Sequence, residues 1–179
     1  MRVLFSILLA VRIVFVGGNS DAGESAPVTA NAPARLALRD QFGALQVLAF
    51  PRTNTTLLTI ADRRGAEQIA GWIAPVQRRF GTRIEICGIA DLSAVPRPLH
   101  PMVRRQFQKS QDHPVMLDWS GDAVKTFQYV PGNSTLLVFD GRGRILLRVN
   151  GEANEAAVRE VCDAIDRALA AGPSTGAVP

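Results

Sequence analysis

Cysteine and histidine are scarce in this chain, and several chemistries are excluded on that ground alone. Its 179 residues include 2 Cys and 2 His. Cys87 and Cys162 have 74 residues between them, so no local dithiol exists. His100 and His113 are each followed by Pro and stand at no ligand spacing, which leaves neither a zinc nor a haem motif. A basic tract is also missing. The 20 Lys and Arg exceed the 16 Asp and Glu by 4, but the arginines lie singly or in pairs, so no nucleic-acid partner is expected. No internal repeat is visible. What the chain does have is a globular balance, with 47% apolar and 20% charged residues, which rules out disorder, collagen and coiled coil. Setting the ends aside leaves roughly 140 residues, enough for one core without metal or disulfide staples.

The ends read as accessory. Residues 3–16 are nearly all apolar, follow Arg2 and lead into Gly17-Gly18-Asn19-Ser20, the layout of a secretory signal peptide. The run is too short to span a membrane, and no Cys follows it to carry a lipid. Arg12 is a charge inside the apolar region, and a frayed strand or a wrongly placed start is the alternative reading. The organisation expected is a signal peptide over 1–22, a flexible linker over 23–35, one domain over 36–170 and a flexible tail over 171–179. No stable membrane span remains after processing, and the expected location is periplasmic or secreted.

Between the ends the apolar period alternates. Residues 45–50 and 56–61 are short β-branched and apolar runs bounded by turn residues, which predicts strands. Ile69, Ile73, Val76 and Phe80 recur at helical spacing with Gln68, Gln77, Arg78 and Arg79 on the other face, and Gly81 stops the helix. Residues 83–89 predict a third strand, and 99–110 a second helix with Leu99, Met102, Val103 and Phe107 inward. Residues 114–118 predict a fourth strand. Alternating strand and helix predict a parallel sheet at this end. The segments 135–140 and 144–149 flank Gly141-Arg142-Gly143 and predict an antiparallel hairpin. A last helix buries Val158, Val161, Cys162, Ile165, Ala168 and Leu169.

That order, together with Leu38-Arg-Asp-Gln-Phe-Gly43, Ile73-Ala-Pro-Val76, Val115-Met-Leu-Asp118 and Leu137-Val-Phe-Asp-Gly141, resembles the thioredoxin-like superfamily in its redoxin and alkyl-hydroperoxide-reductase-like branch. The resemblance covers about residues 36–169. It implies an α/β thioredoxin-like fold, a central mixed sheet flanked by helices, with an N-terminal strand extension. It also implies where redox thiols would stand, at the start of the first helix, where the helix dipole lowers a thiol pKa. Counting back from Pro75 puts those positions at Glu67 and Ala70. The family's cis-proline position falls at Ser134. In the peroxiredoxin alignment Phe50-Pro-Arg-Thr-Asn-Thr55 precedes a peroxidatic position that is Leu58 here, and 51–55 reads as a loop. On either alignment the thiol is missing.

Cys87 and Cys162 read as small apolar core residues, with a disulfide between them as the alternative that export would permit. The polar cluster Asp62-Arg63-Arg64-Gly65 follows the central strand at the end where parallel sheets host sites. Arg63 and Arg64 are candidates for holding a carboxylate or phosphate, with Asp62, Glu67 and Ser134 around them; the alternative is a solvated loop with Asp62 capping the helix. Trp72 reads as a core or half-buried anchor near the same region, and residues 118–122 read as a turn. The function expected is that of an exported redoxin-related protein without C-x-x-C thiols, a non-catalytic binding or accessory module for an unknown protein or a small anionic ligand. No cofactor or metal is implied. The alternative is a thiol-dependent oxidoreductase or peroxidase using Cys87 or Cys162.

Overall fold

The structure, a computed structural model, describes residues 25–26 and 35–171. The expected signal peptide, most of the linker and the tail beyond 171 lie outside the described residues. In chain order the elements are β1 (Ser25–Ala26), β2 (Arg35–Arg39), β3 (Leu45–Ala49), β4 (Thr56–Ala61), α1 (Ala66–Phe80), β5 (Glu85–Asp91), α2 (His100–Ser110), β6 (Met116–Asp118), α3 (Asp122–Phe127), β7 (Ser134–Phe139), β8 (Ile145–Asn150) and α4 (Glu155–Ala170). The six-stranded sheet has the order β1-β8-β7-β4-β5-β6, and β2 and β3 form a separate antiparallel hairpin. β4 pairs with β5 and β5 with β6 in parallel, while β7 runs antiparallel to both β4 and β8.

All six residues of β4 and all six of β7 are buried, because the sheet is covered on both faces there. Leu57, Leu136, Val138, Leu147 and Val149 face one way, onto α1 and α4, where Trp72, Val76, Val161 and Ile165 complete the larger core. Leu58, Ile60, Leu137 and Phe139 face the other way, onto α3 and the β2–β3 hairpin, where Leu36, Leu38 and Leu48 close the second core. The alternation of Arg35-Leu-Ala-Leu-Arg39 suits that role, since Leu36 and Leu38 point inward and the arginines outward. Leu58, the peroxidatic position in the second alignment, is a fully buried strand residue between β5 and β7.

Two hairpins are closed by the same side-chain device. Asp40 Oδ1 accepts from the N–H of Phe42 and of Ala44, and Asp140 Oδ1 from those of Arg142 and Arg144, each at 2.9 Å. In both turns a glycine three residues on, Gly43 at φ 91° and Gly143 at φ 84°, returns its N–H to the aspartate carbonyl. Arg144 and the surrounding backbone N–H groups hold the Asp140 carboxyl below its ordinary pKa, against the opposing effect of burial.

α2 and α3 depart from the sequence reading. Val103 and Phe107 pack on a small cluster around Ala90, Leu92 and Leu117, but Leu99 is 43% and Met102 63% exposed. Leu99 belongs to a preceding 3₁₀ turn, Arg97–Leu99, so the helix starts with a different phase, and Met102 is rotated about 100° from the Val103–Phe107 row. The segment read as a turn opens α3. Asp118 is fully buried; its Oδ1 accepts from the N–H of Gly121 and Asp122 and from Ser120 Oγ, and its Oδ2 from the N–H of Ala123 and Val124. α4 begins more conventionally, with Asn154 Oδ1 accepting from Ala157 N–H at 2.8 Å. No helix among the described residues is long and apolar enough to cross a membrane.

Candidate functional site

The carboxyl end of β4 delivers the chain to Asp62, and from there a tight turn starts α1. Asp62 Oδ1 accepts from the N–H of Arg64 at 3.0 Å and of Gly65 at 2.9 Å, and its carbonyl accepts from Ala66 N–H at 2.9 Å. The carboxylate therefore shapes the turn into the helix and does not bond the first helical N–H groups themselves. Gly65 is the N-cap residue and makes no side-chain cap.

The same aspartate reaches across to the loop before β7. Asp62 Oδ2 accepts from Gly132 N–H at 2.7 Å. Its own N–H donates to Tyr129 Oη at 2.8 Å, and the Tyr129 hydroxyl donates onward to the Asn133 carbonyl at 2.7 Å. Burial pushes the Tyr129 phenol well above its ordinary pKa, so the hydroxyl remains a donor. One turn into α1, Gln68 Oε1 accepts from Ser134 N–H at 2.8 Å. The Ser134 hydroxyl donates to the Gly151 carbonyl at 2.7 Å, and Trp72 Nε1–H donates to the same oxygen at 2.9 Å. A seam of hydrogen bonds thus joins the start of α1, the 129–134 loop and the β8–α4 junction.

At Gly65 the seam brings backbone against backbone. Gly65 is buried, and a Cβ placed on it would overlap the carbonyl oxygen of Asn133 and lie 2.9 Å from Ser134 N. The backbone of Gly65 has φ −61° and ψ −27°, which any residue adopts, so glycine is needed here for space. Beside this contact stand the two positions the family assigns to thiols. Both Glu67 and Ala70 are exposed on α1.

The structure therefore divides the predicted site residues. Asp62 and Ser134 lie in the seam, with the Ser134 side chain fully buried. Arg63, Arg64 and Glu67 are exposed, and no side-chain hydrogen bond or ion pair holds them among the described residues. The single cis peptide bond among the described residues is Phe50–Pro51, so the bond preceding Ser134 is trans. Trp72 is a fully buried anchor. Sequence reasoning missed the parts played by Tyr129 and Gln68, whose bonds to Asp62 and Ser134 span 67 and 66 residues of chain.

Neither cysteine approaches this end. Cys87 lies half-buried on β5, facing the second core, with Glu85 Oε1 at 3.6 Å and Arg52 Nη1 at 3.9 Å. Cys162 is buried on α4 in the first core, across the sheet from it, and both are free. Burial, reinforced by the Glu85 carboxylate and opposed by Arg52, pushes the Cys87 thiol up to about 11. Burial raises Cys162 as well. Thiolate is the nucleophilic form, so both environments work against thiol attack. No cluster of three or more His, Cys, Asp or Glu among the described residues is arranged to hold a metal ion.

A central β4 leading into α1, two parallel neighbours on one side and the β7–β8–α4 closure on the other define a thioredoxin-like fold. Solved structures agree. The chain is similar to a putative thiol:disulfide interchange protein DsbE from Chlorobium tepidum, at 15% identity and TM-score 0.60, over 84% of this chain and 99% of that one. It is also similar to the exposed lipoprotein thioredoxin Etrx1 of Streptococcus pneumoniae, at 13% identity and TM-score 0.58, over 73% and 98% of the two chains. StoA from Bacillus subtilis aligns at 11% identity and TM-score 0.54, over 74% and 99%. At such identities the likeness carries the fold and not the activity. No protein-family model and no curated protein matches the sequence.

Proposed function

We propose that this chain is an exported, redoxin-related module that binds a partner protein or a small anion and does not turn over thiols. The observation that carries this reading is the placement of Cys87 and Cys162 against the two cores, away from the start of α1, where burial raises the pKa of both thiols. A thioredoxin-like oxidoreductase has to seat a substrate disulfide against a thiolate at this helix start; here the positions counted back from Pro75 are Glu67 and Ala70, both exposed and neither a thiol. Export is supported by the apolar leader pattern of residues 3–16 and by the likeness to a lipoprotein described as exposed. The location that follows is periplasmic or secreted.

The purified protein should catalyse neither reduction of insulin disulfides nor consumption of hydrogen peroxide in the presence of dithiothreitol. Thiol-dependent turnover that disappears in Cys87→Ser or Cys162→Ser would overturn this reading and establish the oxidoreductase alternative.

In this reading the anion binds at Arg63 and Arg64, which are exposed beside the seam, with Glu67 on the same turn as a competing charge. Asp62 and Ser134 hold the turn and the loop in place for them. Each charge-assisted bond contributes about 1.5–3 kcal/mol, so Arg63→Ala should weaken binding of small carboxylates or phosphate by roughly tenfold with folding unchanged. Titration calorimetry of the native and variant proteins checks this, and equal affinities remove the site.

A further inference from the structure

The carboxyl edge of the parallel strands is tied by the hydrogen-bond seam where β4 meets α1, and a cavity opens two strands away, roughly 10 Å along the edge. There β5 and β6 end side by side at Asp91 and Asp118. The next residue, Trp119, stacks on the His100 imidazole with ring centroids 4.0 Å apart and planes at 25°. His100 is steadied by its Nε2, 3.0 Å from the Val95 carbonyl. These two rings, with Pro101, Arg104, Arg105 and Gln108 of α2, line a cavity of about 390 Å³. That volume lies in the range that receives small molecules.

The chemistry of the walls is one-sided. Neither the Arg104 nor the Arg105 guanidinium, nor the Trp119 indole N–H, has a hydrogen-bond or ion-pair partner among the described residues. From residue 92 to residue 111 the chain carries Arg97, Arg104, Arg105 and Lys109 and no Asp or Glu at all. The carboxylates that flank this stretch have partners of their own: Asp91 accepts from Ser93, Asp112 lies 3.2 Å from His113 Nδ1, Asp118 holds α3, and Asp122 accepts from Ser120. Gln108 uses its Nε2–H on the Gln41 carbonyl at 2.8 Å, which fixes the C-terminal half of α2 against the β2–β3 turn.

We propose that this cavity is a binding site for small organic carboxylates with a flat apolar body. The carboxylate lies between Arg104 and Arg105, whose forked donors match its geometry, and the body packs on the Trp119–His100 stack. A bare anion gains the charge contacts without the apolar surface, and a neutral aromatic gains the surface without the charge. A ligand carrying both gains both. The proposal stands whether or not the α1 end binds anions, and whether or not the protein turns over thiols.

The test is a titration of the full ¹⁵N-labelled chain with 2-naphthoate, following indole N–H resonances. The Trp119 signal should shift and saturate, and that of Trp72, buried and bonded to Gly151, should not move. Acetate and 2-naphthalenemethanol should each bind at least tenfold more weakly. Arg104→Ala and Arg105→Ala should each weaken 2-naphthoate by about tenfold with an unchanged unfolding midpoint, while Arg63→Ala should leave it unaffected. The proposal is overturned by no saturation at several millimolar, by equal affinity for the neutral alcohol, or by a shift that persists in the Arg104→Ala/Arg105→Ala double variant. Binding of an acidic aromatic peptide at this site without binding of 2-naphthoate would also overturn it in favour of a protein partner.

Discussion

Gly65→Ala is expected to destabilise the fold by about 3 kcal/mol, at the upper end of the range for overpacking a well-filled site. The added methyl group would occupy the position of the Asn133 carbonyl oxygen and crowd the Ser134 nitrogen at 2.9 Å. Those atoms are backbone and are held from both sides, by Tyr129 Oη on the Asn133 carbonyl and by Gln68 on the Ser134 N–H. Relief requires α1 to back away from the loop, which breaks these bonds. For a domain of this size the unfolding midpoint should fall by about 10 °C. Gly71→Ala, in the same helix, is the control. Its nearest obstacle is the single side-chain atom Ala153 Cβ at 3.1 Å, and alanine is favoured over glycine in a helix by about 1 kcal/mol. Thermal unfolding followed by circular dichroism should show a large loss for the first and little change for the second. Equal effects would mean that the seam yields and that the α1 end is not closed in solution.

Asp118→Ala should be at least as damaging, at about 3–5 kcal/mol, because one buried carboxylate satisfies four backbone N–H groups. Removing it leaves the start of α3 without acceptors. α3 has only six residues and cannot hold itself together, so Ala123 and Phe127 should loosen from the second core. Asp118→Asn refines the test. Both carboxylate oxygens accept here, and an amide supplies one acceptor and two donors, so asparagine should recover less than half of the loss. Urea unfolding of the three proteins measures this. Full stability in Asp118→Asn would show that one oxygen suffices.

The elements that read clearly from sequence are those whose environment repeats along the chain. β4 and β7 each carry four apolar residues in six and no charge because both of their faces are covered, and α1 and α4 show a helical period because one face of each meets the sheet. The helix start was legible too, since Glu67 and Ala70, counted back from Pro75, lie on the first turns of α1. α3 was not legible: six residues make fewer than two turns and display no period, and its start is decided by a carboxylate preceding it in β6. For α2, which rests only on a small side cluster, the apolar residues Leu99 and Met102 carried no information about which face is inward.

By itself, then, the amino-acid order determined the fold class, the order of the strands and helices apart from α3, and the absence of cysteine at the helix start, all of which depend on side-chain type and on spacings of a few residues. Only the tertiary structure decided what became of that helix start. Tyr129 meets Asp62 across 67 residues, Trp72 meets Gly151 across 79, and Gly65 touches Asn133 through backbone atoms that leave no mark on composition or period. Local rules act over one turn of chain, whereas a seam forms where distant segments are pressed together by the packing of the sheet between its two cores. The same packing brought Trp119 onto His100 and opened the cavity beside Arg104 and Arg105, which no spacing in the sequence links to Trp119.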